Sequence, residues 1–130
     1  MSKIKFIERD FYLEKLKKVV GTPDIKVITG VRRSGKSKLL EGFKSYIQNN
    51  VSNVNITHIN FNLEKFESLK DYHKLNAYIE EFYIDGKQNV VLIDEVQLCP
   101  NFELTINSLH AQEKYDIYIT GRMRFCFRRT

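Results

Sequence analysis

Residues 25–37 read Ile25-Lys26-Val27-Ile28-Thr29-Gly30-Val31-Arg32-Arg33-Ser34-Gly35-Lys36-Ser37. A short β-branched run passes directly into a glycine-containing loop, and the loop fits G-x-x-x-x-G-K-[ST], the Walker A pattern, without a mismatch. Phosphates need several donors converging on a small anionic surface. Gly30 and Gly35 permit the backbone angles that turn successive N–H groups inward. A helix beginning there aims its partial positive end at the same point. In that frame Lys36 reaches the β- and γ-phosphates and the Ser37 hydroxyl ligates Mg2+. Val31, Arg32, Arg33, Ser34 and Lys38 complete the predicted cradle.

Further along, Val90-Val91-Leu92-Ile93 is an apolar run that ends in Asp94 and Glu95. This is the form of a strand buried on both faces with two acids at its end, the Walker B arrangement. A carboxylate at a strand end can hold a magnesium-bound water beside Ser37. The next carboxylate can polarise the water that attacks a γ-phosphate. Asp94 is therefore expected at the metal and Glu95 as the base, with Lys36 as the catalytic cation.

Periodicity places these motifs. Residues 9–20 predict a helix, with Tyr12, Leu16, Val19 and Val20 at helical spacing. A turn at residues 21–24 precedes the first strand, residues 25–29. Residues 36–48 predict a helix with Leu39, Leu40, Phe43 and Ile47 on one face. Residues 54–61 alternate as a strand, and a polar stretch follows. Residues 71–84 predict a helix with Tyr72, Leu75, Ile79, Phe82 and Tyr83 as its stripe, ended by Asp85-Gly86. Residues 89–93 form the third strand. Phe102, Ile106 and Leu109 mark a helix, and residues 115–119 form the fourth strand. The alternation of helix and strand predicts an α/β fold, a parallel sheet covered by helices.

The chain has 130 residues, 42% of them hydrophobic and 28% charged, which is the composition of one small globular domain. No apolar run approaches the ~20 residues that span a bilayer, and the N-terminus lacks a secretory signal, so a cytoplasmic protein is expected. Cys99 and Cys126 match no metal spacing, and His58, His73 and His110 are scattered, so structural roles are expected for all of them. The net charge of +5 would suit a polyanion. However, Arg122, Arg124, Arg128 and Arg129 supply most of it. Without them Lys+Arg falls from 21 to 17 against 16 acids, a near-neutral body. A nucleic-acid partner is thus disfavoured though not excluded.

With both motifs in place, the chain resembles the N-terminal part of the prokaryotic AAA-type ATPases that carry a second, C-terminal domain of unknown function. The resemblance spans residues 4–121. It rests on Arg9 and Tyr12-Leu13, the motif of residues 30–37 with its paired Arg32-Arg33, Asp94, Glu95 and Gln97 as Asp-Glu-x-Gln, and Thr120-Gly121. It implies a three-layer P-loop fold with a sheet of the 5-1-4-3-2 type and Mg2+-dependent ATP hydrolysis. The absence of an N-K-x-D-type guanine motif favours ATP.

After Gly121 the family continues Ser-Asn-Ala, whereas this chain reads Arg122-Met123-Arg124-Phe125-Cys126-Phe127-Arg128-Arg129-Thr130. The same residues result when one nucleotide is deleted from a frame encoding Gly-Ser-Asn-Ala-Phe-Leu-Leu-Ser-Ser-Asp. Residues 1–121 are accordingly expected to be an ATP-binding core truncated by a frameshift, and residues 122–130 an out-of-frame tail. The fifth strand is then expected to be missing, leaving the first strand at an unpaired edge open to self-association. A nucleotide-binding chain with little or no turnover is the alternative reading of function.

Overall fold

A computed structural model describes residues 4–7, 12–28 and 33–121, with side chains described for residues 13–28 and 38–121. The elements are β1 (Ile4–Ile7), α1 (Tyr12–Val19), β2 (Ile25–Ile28), α2 (Arg33–Asn50), β3 (Val54–Asn60), α3 (Tyr72–Glu81), β4 (Gln88–Asp94), α4 (Phe102–Ala111) and β5 (Tyr115–Thr120). Short 3₁₀ turns occupy Glu64–Leu69 and Val96–Leu98. All strand pairs are parallel, in the order β1-β2-β5-β4-β3. Parallel neighbours need crossovers, and helices supply them.

The four predicted strands are β2, β3, β4 and β5, and they stand in the expected relative order, 1-4-3-2. The predicted open edge is corrected. The outer side of β2 is paired along its length by β1, with Ile4 opposite Ile25 and Ile7 opposite Ile28. β1 takes up the N–H and C=O groups that an edge would expose.

Alternation along the strands divides the core into two layers. Val90 and Leu92 face α1 and α2, in a cluster with Leu16, Ile28, Leu40, Phe43, Ile47 and Tyr118. Val91 and Ile93 face the other way, with Ile59, Leu75, Ile79, Ile106, Leu109, Ile117 and Ile119. Both faces of β4 are therefore buried, as its continuous apolar run requires. The polar stretch after β3 also reaches this core, because its 3₁₀ turn buries Phe66 and Leu69.

α3 starts at a cap predicted only as a boundary: the Asp71 carboxylate accepts from the His73 and Lys74 N–H groups. The helix stops at Glu81, earlier than its apolar stripe suggested. Phe82 is its C-cap and is 47% exposed, so it belongs to the surface rather than the stripe. Gly86, at φ +85°, sits in the following turn.

At the amino ends of the strands Lys26, fully buried, donates to Asp116 Oδ1 at 2.6 Å. Asp116 Oδ2 also accepts from Gly21 N and from Tyr118 Oη. Burial and the adjacent carboxylate push the Tyr118 phenol pKa upward. The carboxylate accepts three hydrogen bonds and Lys26 also donates to the Thr22 carbonyl, and such further bonds help a core tolerate an ion pair. A cavity of about 450 Å³ opens beside it, lined by Thr22, Pro23, His110, Lys114, Tyr115 and Asp116 among others. Among the described residues no helix is long and apolar enough to cross a membrane.

Candidate nucleotide site

The carboxyl ends of the strands lie side by side. Ile28 of β2 is opposite Thr120 of β5, and Asn60 of β3 is opposite Asp94 of β4. Loops leaving this end of a parallel sheet form the crevice where open α/β folds bind ligands. The cavity described above lies at the opposite end, away from the acids.

Asp94 is the last residue of β4 and is 4% exposed. Its Oδ1 accepts from Thr120 Oγ1 at 2.5 Å. Glu95 follows in the left-handed region, at φ 58° and ψ 48°. A glutamate is uncommon there, and strained residues of this kind cluster at functional sites. The turn is held by the same hydroxyl, because Glu95 N donates to Thr120 Oγ1 at 3.1 Å. Glu95 as a residue is 8% exposed, and its Oε1 accepts from Gln97 Nε2 at 2.8 Å. One buried threonine on β5 thus fixes both the side chain of one acid and the backbone of the next.

β2 ends at Ile28 and α2 begins at Arg33, so strand and helix flank the loop as the motif requires. The helix starts three residues before the predicted 36, inside the motif itself. Gly30, Val31 and Arg32 lie outside the described residues. So do the side chains of Arg33, Ser34, Lys36 and Ser37, together with the surroundings of Gly35. The Lys38 side chain is exposed on α2. The tail, residues 122–130, also lies outside the described residues.

Thr120 was noted in the sequence as half of Thr120-Gly121, with no role assigned to its hydroxyl. A polar residue closing an apolar strand beside a strand that ends in acids is the signal that could have assigned one. Thr120→Val keeps the shape but removes the donor to Asp94 and the acceptor for Glu95 N. It should lower stability by about 1–3 kcal/mol, while Thr120→Ser should cost less. Urea unfolding at unchanged slope measures both. Equal midpoints for wild type and Thr120→Val would show that the hydroxyl does not hold this corner.

His58, His110 and Cys99 have contacts of their own, and Cys126 lies outside the described residues. His58 is half-buried, and its Nδ1 lies 3.2 Å from Lys44 Nζ. Desolvation first, and then the Lys44 charge, lower its pKa. His110 Nε2 bonds the Pro23 carbonyl. Burial pushes the Cys99 thiol up to about 11, as for an inert core cysteine. Among the described residues no group of three or more His, Cys, Asp or Glu side chains could hold a metal.

A family model described as AAA domain matches residues 22–129. An uncharacterized protein of Haemophilus influenzae (strain ATCC 51907 / DSM 11121 / KW20 / Rd) is 37% identical over 117 residues, which are 88% of this chain and 29% of that protein. The chain therefore spans less than a third of the length of that relative. No solved structure gives a significant match. A parallel α/β sheet with its acids at the carboxyl end of β4, and a family match across most of the sequence, place the chain in the AAA domain family, as an AAA-type nucleotide-binding domain.

Proposed function

We propose that this domain binds ATP with Mg2+ at the loop of residues 30–37 and hydrolyses it, with Glu95 as general base. The observation that carries the reading is the corner where Thr120 holds Asp94 Oδ1 and Glu95 N. It stands at the same end of the sheet as the β2 terminus from which the loop departs. Two acids are fixed there in different ways, which suits two different tasks.

The donor set fits magnesium. That ion keeps several waters and is held by one or two carboxylates plus phosphate oxygens, rather than by an all-protein cage. Asp94 and the Ser37 hydroxyl would hold it, and its chemistry there is to neutralise charge on the phosphates. Backbone N–H groups of residues 30–38 bind the phosphate oxygens, and Lys36 neutralises the β- and γ-phosphates. Glu95 takes a proton from water as the water oxygen attacks the γ-phosphorus. The bond to the β–γ bridging oxygen breaks, and ADP and phosphate leave.

The deciding experiment is calorimetric titration of the chain with ATP, with and without magnesium, beside an assay of phosphate release. Magnesium-dependent binding together with release is expected. Binding without release would reduce the activity to nucleotide binding, and no binding at all would remove the proposal. What the hydrolysis drives, and any self-association, depend on the whole protein.

A further inference from the structure

We infer that Gln97 is a positioning residue for Glu95, and that Gly121, already required by its φ of +143°, also leaves the space that the Gln97 amide occupies. The inference rests on the reading of Glu95 as the base. Glu95 leaves β4 in the left-handed region, and the Val96–Leu98 turn follows at once. That geometry brings Gln97 back toward its second neighbour, where Nε2 donates to Glu95 Oε1 at 2.8 Å. A donor to a carboxylate makes one of the stronger side-chain hydrogen bonds.

The other end of the same amide faces β5. Gly121 has φ +143°, and a Cβ built there would collide with Gln97 Oε1 and come within 3.1 Å of Gln97 Cδ. It would also come within 3.3 Å of Val96 N. The amide is thus bounded by the backbone just past β5 on its oxygen side and engages Glu95 through its nitrogen. The carboxylate is held through Oε1 by an amide whose oxygen side abuts the Gly121 backbone. Thr120 fixes the Glu95 backbone and Gln97 fixes its carboxylate, so adjacent residues at the end of β5 control the base through separate contacts.

Misplacing a reacting group by about 1 Å can cost on the order of 10²-fold in rate. Gln97→Ala should therefore lower kcat by about 10- to 100-fold, with KM and ATP affinity changed by less than about threefold. Gly121→Ala should lower kcat comparably, because the added methyl displaces the Gln97 amide. In the Gln97→Ala background the same glycine substitution should have little further effect on kcat, since the amide it would collide with is gone and only the looser approach to Val96 N remains. Backbone strain at residue 121 is common to both backgrounds and is read separately as a thermal midpoint. A readout without nucleotide is the side-chain amide resonance of Gln97, which should move on Glu95→Gln and on Gly121→Ala.

Full turnover in Gln97→Ala, or additive losses in the double variant, would overturn the positioning role while leaving the hydrolytic reading intact. An unresponsive Gln97 resonance would overturn the contact itself. No turnover by the unsubstituted chain would overturn Glu95 as the base, and the inference with it.

Discussion

Lys36→Ala should lose ATP binding, with affinity falling at least about 100-fold, or ~2.7 kcal/mol. In the proposed site Lys36 is the side chain placed against the β- and γ-phosphates, where its loss leaves phosphate charge in a partly desolvated site. The fold is expected to be kept, because a lysine in a phosphate-binding loop serves the bound nucleotide rather than an apolar core. Titration with magnesium ATP, beside a thermal melt of the nucleotide-free chain, separates the two effects. Unchanged affinity in a folded variant would mean that the loop of residues 30–37 does not bind the triphosphate.

The second large effect concerns the acids. Glu95→Gln should leave ATP affinity within a few fold and lower turnover by about 10²–10⁴. The amide keeps the shape of the side chain but cannot take the proton. Asp94→Asn should instead weaken the part of ATP affinity that depends on magnesium, because the carboxylate charge is removed from the ion. The two residues are adjacent, so the contrast is demanding. Normal hydrolysis by Glu95→Gln would place the base elsewhere, and identical phenotypes for the two variants would remove the division of labour. Both should be made in a chain whose turnover has first been measured.

Much of this was legible in residue patterns, for physical reasons that differ by element. β4 was plain because a run such as Val90-Val91-Leu92-Ile93 is stable only where both faces are buried, as both are. β1 was not, because Ile4–Ile7 is four residues with Lys5 among them, too short for a period of two to stand out. Lys26 carried the opposite signal. Alternation in a strand makes a lysine read as solvent-facing, yet it is fully buried against Asp116, a partner 90 residues away. Pairings of that kind are set by topology and leave no local pattern. The same holds for the candidate site. The identities of Asp94 and Glu95 could be read from their place at the end of an apolar run. The hydrogen bonds that Thr120 makes to them were not read there, since Thr120 is brought to Asp94 only by the insertion of β5 next to β4.

The position of β5 also bears on the order in which the molecule can be assembled. β1 and β2 are hydrogen-bonded neighbours within residues 4–28, and β3 and β4 within residues 54–94. In the sheet these pairs meet only through β5, Tyr115–Thr120, the last strand in the described sequence. A ribosome-bound chain could close each pair as it emerges, but not the junction between them. Such long-range closure is the slow part of forming a parallel sheet. Until Thr120 has left the exit tunnel, the strand that leads into the glycine loop and the strand that ends in the two acids have no shared backbone partner. The acids therefore come into register with the loop only after β5 has emerged, not while β1 to β4 are being made.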